Sequence, residues 1–67
     1  MSEQLEAARR YRIYAEELRT IAAQHRDPQS RQMLLRIAAD YDQLAESTEA
    51  IDRTNKTLQK ARKFKVI

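Results

Sequence analysis

The chain contains no cysteine, no glycine and no tryptophan, and only one proline and one histidine among its 67 residues. Without cysteine there can be no disulfide and no thiolate metal site. A lone histidine, His25, cannot supply the paired imidazoles of common zinc and di-iron carboxylate sites, so no metal and no cofactor is expected. The lack of glycine removes any Gly-rich phosphate loop. No apolar run approaches the roughly 18–20 residues that span a bilayer, and Met1-Ser-Glu-Gln-Leu lacks the basic start and apolar stretch of a signal peptide. The expected compartment is therefore the cytoplasm. A domain this small struggles to stabilise itself with one core. With disulfides and metals gone, oligomerisation or docking on a larger partner is the remedy left.

What is present is helix-forming sequence on both sides of a single break, Asp27-Pro28. The first arm is predicted to run from about residue 3 to 26, with Ser2 as its N-cap. Ala8, Tyr11, Ala15, Leu18 and Ala22 recur in steps of three and four, with Ala7, Tyr14 and Ile21 widening the stripe. Such a broad face suits packing on more than one neighbour. Glu6–Arg10 and Glu16–Arg19 have the spacing of supporting intrahelical pairs. His25 and Arg26 are expected in the last turn, where a base complements the negative end of the helix dipole.

Asp27 suits the N-cap of a second arm and Pro28 its first helical position, where no amide hydrogen bond is lost. Proline also pushes the residue before it out of the helical region. The chain is thus expected to bend at 26–28 and fold back antiparallel, a continuous kinked helix being the competing geometry. In the second arm Leu34, Ile37, Ala38, Tyr41, Leu44, Ala45, Thr48 and Ile51 keep the same periodicity, and Leu58 and Ala61 continue it. The arm then reaches about Arg62, overhanging the first by about ten residues. Thr54, Asn55 and Thr57 are weak helix formers, so fraying or a break is expected near them.

Ala8, Ala15 and Ala22 are seven apart, as are Ala38 and Ala45. Small residues at one heptad position let helix backbones approach closely, so the arms are expected to meet across these alanines. Tyr14, Ile21, Met33, Leu34, Tyr41 and Leu44 would be only partly covered. A contiguous apolar strip of that size exceeds what a soluble monomer usually exposes. The fold expected is all-α: an antiparallel two-helix hairpin over residues 1–51, two copies of which form a four-helix bundle.

Charge divides the chain unevenly. Residues 1–51 carry seven arginines against nine Asp and Glu, a net −2; residues 52–67 carry Arg53, Lys56, Lys60, Arg62, Lys63 and Lys65 against Asp52 alone, a net +5. All the lysines lie in this basic extension, which as a helix would show Leu58, Ala61, Phe64 and Val66 among the bases. A solvated terminus is the ordinary explanation of such a segment. Contact with nucleic-acid phosphates through residues 53–65, or with an acidic membrane or protein surface, are the functional ones. Arg9-Arg10-Tyr11-Arg12-Ile13-Tyr14 also interleaves bases with aromatics, but there the tyrosines fall on the apolar stripe, with arginines snorkelling beside them.

Catalysis finds little support. Glu16, Glu17, Asp40, Asp42 and Glu46 fall mainly on polar faces, whereas acid–base chemistry needs carboxylates converging in a desolvated pocket. His25 is expected to cap a helix end or join the turn.

Ala15-Glu-Glu-Leu-Arg-Thr-Ile-Ala-Ala, the Asp27-Pro28-x-Ser30-Arg31 turn and Leu34-Leu-Arg-Ile-Ala-Ala-Asp-Tyr41-Asp-x-Leu-Ala45 occur in order. Together, over about residues 11–46, they resemble a group of small, largely uncharacterised alphaproteobacterial proteins. The resemblance implies a helical hairpin in a bacterial cytoplasm and brings no activity or functional residue with it. The function expected is that of a small non-enzymatic adaptor or regulatory protein acting through helix–helix association. A nucleic-acid-binding hairpin dimer and an accessory subunit docked on a larger protein are the alternatives.

Overall fold

A computed structural model describes residues 2–65, with the side chains of residues 2–63. Two α-helices account for the regular structure among them: α1, Glu3–Gln24, and α2, Pro28–Lys65. Their direction is settled by three side-chain contacts. Ser2 reaches Asp52, Arg12 reaches Glu49, and Arg19 reaches Asp42. One number rises as the other falls, so the helices are antiparallel.

Each helix starts as its first residues dictate. Ser2 keeps extended backbone angles, and its hydroxyl oxygen accepts from the Leu5 amide at 3.4 Å while its carbonyl accepts from Glu6 at 3.1 Å. At the second start the Asp27 carboxylate accepts from the Ser30 hydroxyl at 2.8 Å and the Ser30 amide at 3.1 Å. The Asp27 carbonyl closes the first turn onto the Arg31 amide at 3.0 Å. Pro28, lacking an amide hydrogen, sits where none is needed. The Ser30 hydroxyl, followed by its amide, holds the Asp27 carboxyl below the usual carboxylate range.

The connection is residues 25–27, and it shortens α1 relative to expectation. The helix ends at Gln24, and His25 is extended (φ −82°, ψ 133°) with its amide bonded to the Ala22 carbonyl at 3.1 Å. His25 and Arg26 therefore lie outside the last turn, which holds no base. The expectation that they complement the helix dipole from within α1 is corrected. The chain needs these residues to reverse direction before Pro28. The base that serves the turn comes from α2: the Arg31 guanidinium donates to the His25 carbonyl through Nη2 at 2.6 Å and Nε at 3.2 Å.

The helices meet across alanine. Ala8, Ala15, Ala22, Ala38 and Ala45 are all 0–2 % exposed and form the whole apolar core among the described residues. No large side chain is fully buried. With a methyl group at each contact the two backbones come close, and the core is correspondingly thin. The molecule measures 64 × 18 × 9 Å with a radius of gyration of 17.2 Å. A compact chain of this length would have a radius near 11 Å; this one is a rod.

The rod is long because α2 outruns α1. Its 38 residues extend about 57 Å at 1.5 Å per residue, and the part beyond Asp52 has no neighbour in α1. No break occurs near Thr54–Thr57, contrary to expectation: α2 is continuous to Lys65. The Thr57 hydroxyl donates to the Arg53 carbonyl at 3.1 Å, as Thr48 does to Leu44 at 2.7 Å. These hydroxyls bond within the helix rather than competing with it. The expected contributions of Phe64 and Val66 lie outside the described side chains.

Candidate interaction faces

Packing two helices through one narrow seam leaves two broad flanks, and here they differ in chemistry. One is ionic. Arg12 pairs with Glu49 at 2.7 Å and Arg19 with Asp42, each partner a heptad from its counterpart. The hydrogen bond and charge of Glu49 push the Arg12 guanidinium above its ordinary pKa. The predicted intrahelical pairs Glu6–Arg10 and Glu16–Arg19 are not among the salt bridges of the described residues. Arg19 reaches across the seam instead. The alanines bring α2 close enough for an interhelical partner, and α2 offers a carboxylate there. Leu5 and Ile13 lie along this flank, beside Arg9 and Glu16.

The other flank is apolar and opens on a tyrosine cluster. Tyr11 stacks on Tyr41 with ring centroids 6.0 Å apart and planes 27° apart, and Tyr14 meets Tyr41 edge-on at 5.5 Å and 65°. Such offset and edge contacts are the geometries that aromatic quadrupoles favour. Tyr11 and Tyr41 are half-buried, but Tyr14 remains exposed. The interleaved bases and aromatics of residues 9–14 thus separate in space, Arg12 onto the ionic flank and both tyrosines onto the cluster.

Below the cluster run heptad rows of uncovered apolar side chains. Tyr14 and Ile21 lie on α1; Ile37, Leu44, Ile51 and Leu58 lie on α2. All six are exposed, from 38 % at Ile37 to 53 % at Ile51. Of the predicted interface residues, Tyr14, Ile21, Leu44 and the partly covered Tyr41 sit on this flank. Leu34 is half-buried beside the seam, and Met33, near the turn, is the most exposed at 64 %. The predicted interface omits Ile37, Ile51 and Leu58, whose periodicity assigns them to the helix-packing stripe. The seven-residue spacing of 37, 44, 51 and 58 was the available signal. It marks a second seam beside the one marked by 38 and 45.

Asp52 closes the hairpin. It follows Ala38 and Ala45 in their heptad position, yet it is an acid buried to 5 % exposure. Its Oδ1 accepts from the Ser2 hydroxyl at 2.5 Å, and its Oδ2 lies 3.2 Å from Lys56 Nζ. These contacts, that with Ser2 foremost, hold the carboxyl below its usual range against the opposing effect of burial. Gln4 also approaches the Ser2 hydroxyl at 2.9 Å. A hydroxyl has one proton to give, and a carboxylate is the stronger acceptor.

Beyond Asp52 every described side chain is exposed. Arg53, Lys56, Lys60, Arg62 and Lys63 are therefore open to solvent; the Lys65 side chain lies outside the described residues. No three His, Cys, Asp or Glu side chains come together to hold a metal ion, and no helix is long and apolar enough to cross a membrane, among the described residues. No protein-family model, curated protein or solved structure matches the chain.

Proposed function

We propose that this chain is a small non-enzymatic adaptor or regulatory protein that works by self-association, two hairpins meeting through their apolar flanks in a four-helix bundle. One observation carries the reading. A hairpin whose own interior is five alanines leaves Tyr14, Ile21, Ile37, Leu44 and Ile51 uncovered in heptad rows on both helices. Rows at that spacing on two adjacent helices suit two further helices rather than a small ligand. A second copy supplies the same rows, and a two-fold axis makes one patch complementary to itself. The need is physical as well: methyl groups bury little area, and burial is the main driving force for so small a fold. The resemblance to bacterial hairpin proteins supports a bacterial cytoplasm as its setting.

Sedimentation equilibrium at micromolar concentration tests this. The expected mass is about twice the 7.9 kDa of one chain, and Leu44→Glu, which sets a charge in the middle of the flank, should return it to one. A well-folded, highly helical monomer of the parent sequence would remove the reading. A larger protein that co-purifies in fixed ratio from the native cell, with no self-association, would make the chain an accessory subunit using the same face.

A further inference from the structure

The basic end of the chain resolves into a more specific object than a charged tail. Because α2 is continuous to Lys65, the positions of its bases around the helix are set. Arg53, Lys56, Lys60 and Lys63 follow one another at intervals of three, four and three. That spacing gathers them on one face within an arc of about 80° at 3.6 residues per turn. Arg62 falls outside this arc, toward the apolar flank. The stripe continues the ionic flank: the heptad row of Asp42 and Glu49, which pair with α1, runs on through Lys56 and Lys63 once α1 has ended.

Three further features limit what such a face can bind. Asp52 is the only acidic residue from position 52 onward, and it engages Lys56 alone. Arg53, Lys60 and Lys63 have no carboxylate within salt-bridge distance among the described residues. Second, the arc contains no apolar side chain. Between Arg53 and Lys63 only Leu58 and Ala61 are apolar, and they lie on the opposite side. Membrane-surface helices bind by burying an apolar face beneath their cations, and between Arg53 and Lys63 only these two residues could supply one. Third, the stripe is about 15 Å long at 1.5 Å per residue, close to the length of four successive phosphates on one strand of a duplex at about 3.4 Å each.

We infer that the overhang of α2 is a nucleic-acid backbone site in which Arg53, Lys56, Lys60 and Lys63 contact phosphates along a duplex. Binding is electrostatic and independent of sequence, since a lysine row without hydrogen-bonding groups aimed at base edges reads charge and not bases. The site needs neither the apolar flank nor a second copy, so it stands or falls separately from the self-association.

The test is fluorescence anisotropy of the full-length chain with a mixed-sequence duplex of about 24 base pairs, as DNA and as RNA, across a salt series. Four phosphate contacts predict binding to at least one duplex, with affinity falling roughly 100-fold between about 50 and 200 mM salt. Replacing the three lysines together (Lys56→Gln, Lys60→Gln, Lys63→Gln) should weaken binding at least tenfold at about 100 mM salt and flatten the salt slope by nearly three. Arg62→Gln, which removes one charge off the stripe, should cost no more than about threefold. Circular dichroism of each variant checks that helix content is kept. The inference is overturned by any of four results: no binding to either duplex at low salt, binding indifferent to salt, equal losses from Arg62→Gln and the triple variant, or capture by anionic phospholipid vesicles but not by duplexes.

Discussion

The two ends of α2 have the same backbone and opposite surroundings. From Pro28 to Asp52 the helix buries Ala38 and Ala45 against α1; from Arg53 to Lys63 it buries nothing. The difference lies in what occupies the seam position every seventh residue. Alanine admits a neighbouring backbone at 38 and 45, a hydrogen-bonded aspartate ends the contact at 52, and the next position, Gln59, is exposed with no helix beside it. Being helical and being packed are thus separate properties here, the first set by local residues and the second by the face they present.

The comparison breaks most sharply at an alanine. Ala15→Leu places a large side chain where exposure is 0 % and two backbones are in contact. Overpacking a closed site costs about 1–3 kcal/mol, a large fraction of what a hairpin this thin can hold. The same change at exposed Ala61 in the overhang should stay within about 0.5 kcal/mol. Thermal melts followed by circular dichroism measure both, and equal effects would mean that the seam is not closely packed.

A smaller effect is expected where seam and overhang meet. Asp27 and Asp52 both have carboxyls held below the usual range. For a group whose folded pKa is lowered, the stabilisation is complete above its unfolded value, about 3.9 for aspartate, and is lost as pH falls through the folded value. The melting temperature should therefore fall on acidification below about pH 4. Asp52→Asn should lower it at neutral pH and make its decline in acid shallower. An unchanged acid profile in that variant would show that the Ser2–Asp52 contact does not hold the end of the hairpin.

The smallest effect belongs to the ionic flank. Arg19 and Asp42 are both substantially exposed, and exposed pairs contribute about 0.2–1 kcal/mol, less in high salt. Arg19→Gln should cost no more than that in a melt at low salt, and its cost should vanish in about 1 M salt, where the screening length is about 3 Å. A larger loss that persists in salt would mean that the Arg19 stem, packed against the seam, matters more than its charge.

Much of this could be read from the residues. Asp27-Pro28 announced the turn because proline constrains both itself and its predecessor. The two alanine rows announced the seam because a heptad of small side chains has few other uses on a helix. The exposed flank was legible in part. Tyr14, Ile21 and Leu44 stand out as interface residues, while Ile37 and Ile51 also fit the helix-packing stripe, since an apolar residue one position from an alanine row fits either side of the seam. Arg31, Arg19 and Asp52 were the least legible. Arg31 and Arg19 find their partners across the turn or on the other helix, and Asp52 finds Ser2 fifty residues away, where spacing along one chain carries no information.

What the sequence determined alone is local: where each helix begins, where the chain reverses, which positions repeat at seven, and where the lysines collect. These follow from backbone constraints and helical periodicity, which act over a few residues. What only the tertiary structure decided is which groups meet. The alanine contact sets the distance between the helices, and that distance determined that Arg19 pairs with Asp42, that Ser2 donates to a buried Asp52, and that one apolar flank stays uncovered. Where α1 ends against α2 decided the rest, leaving four cations in a row beyond the last carboxylates of the ionic flank.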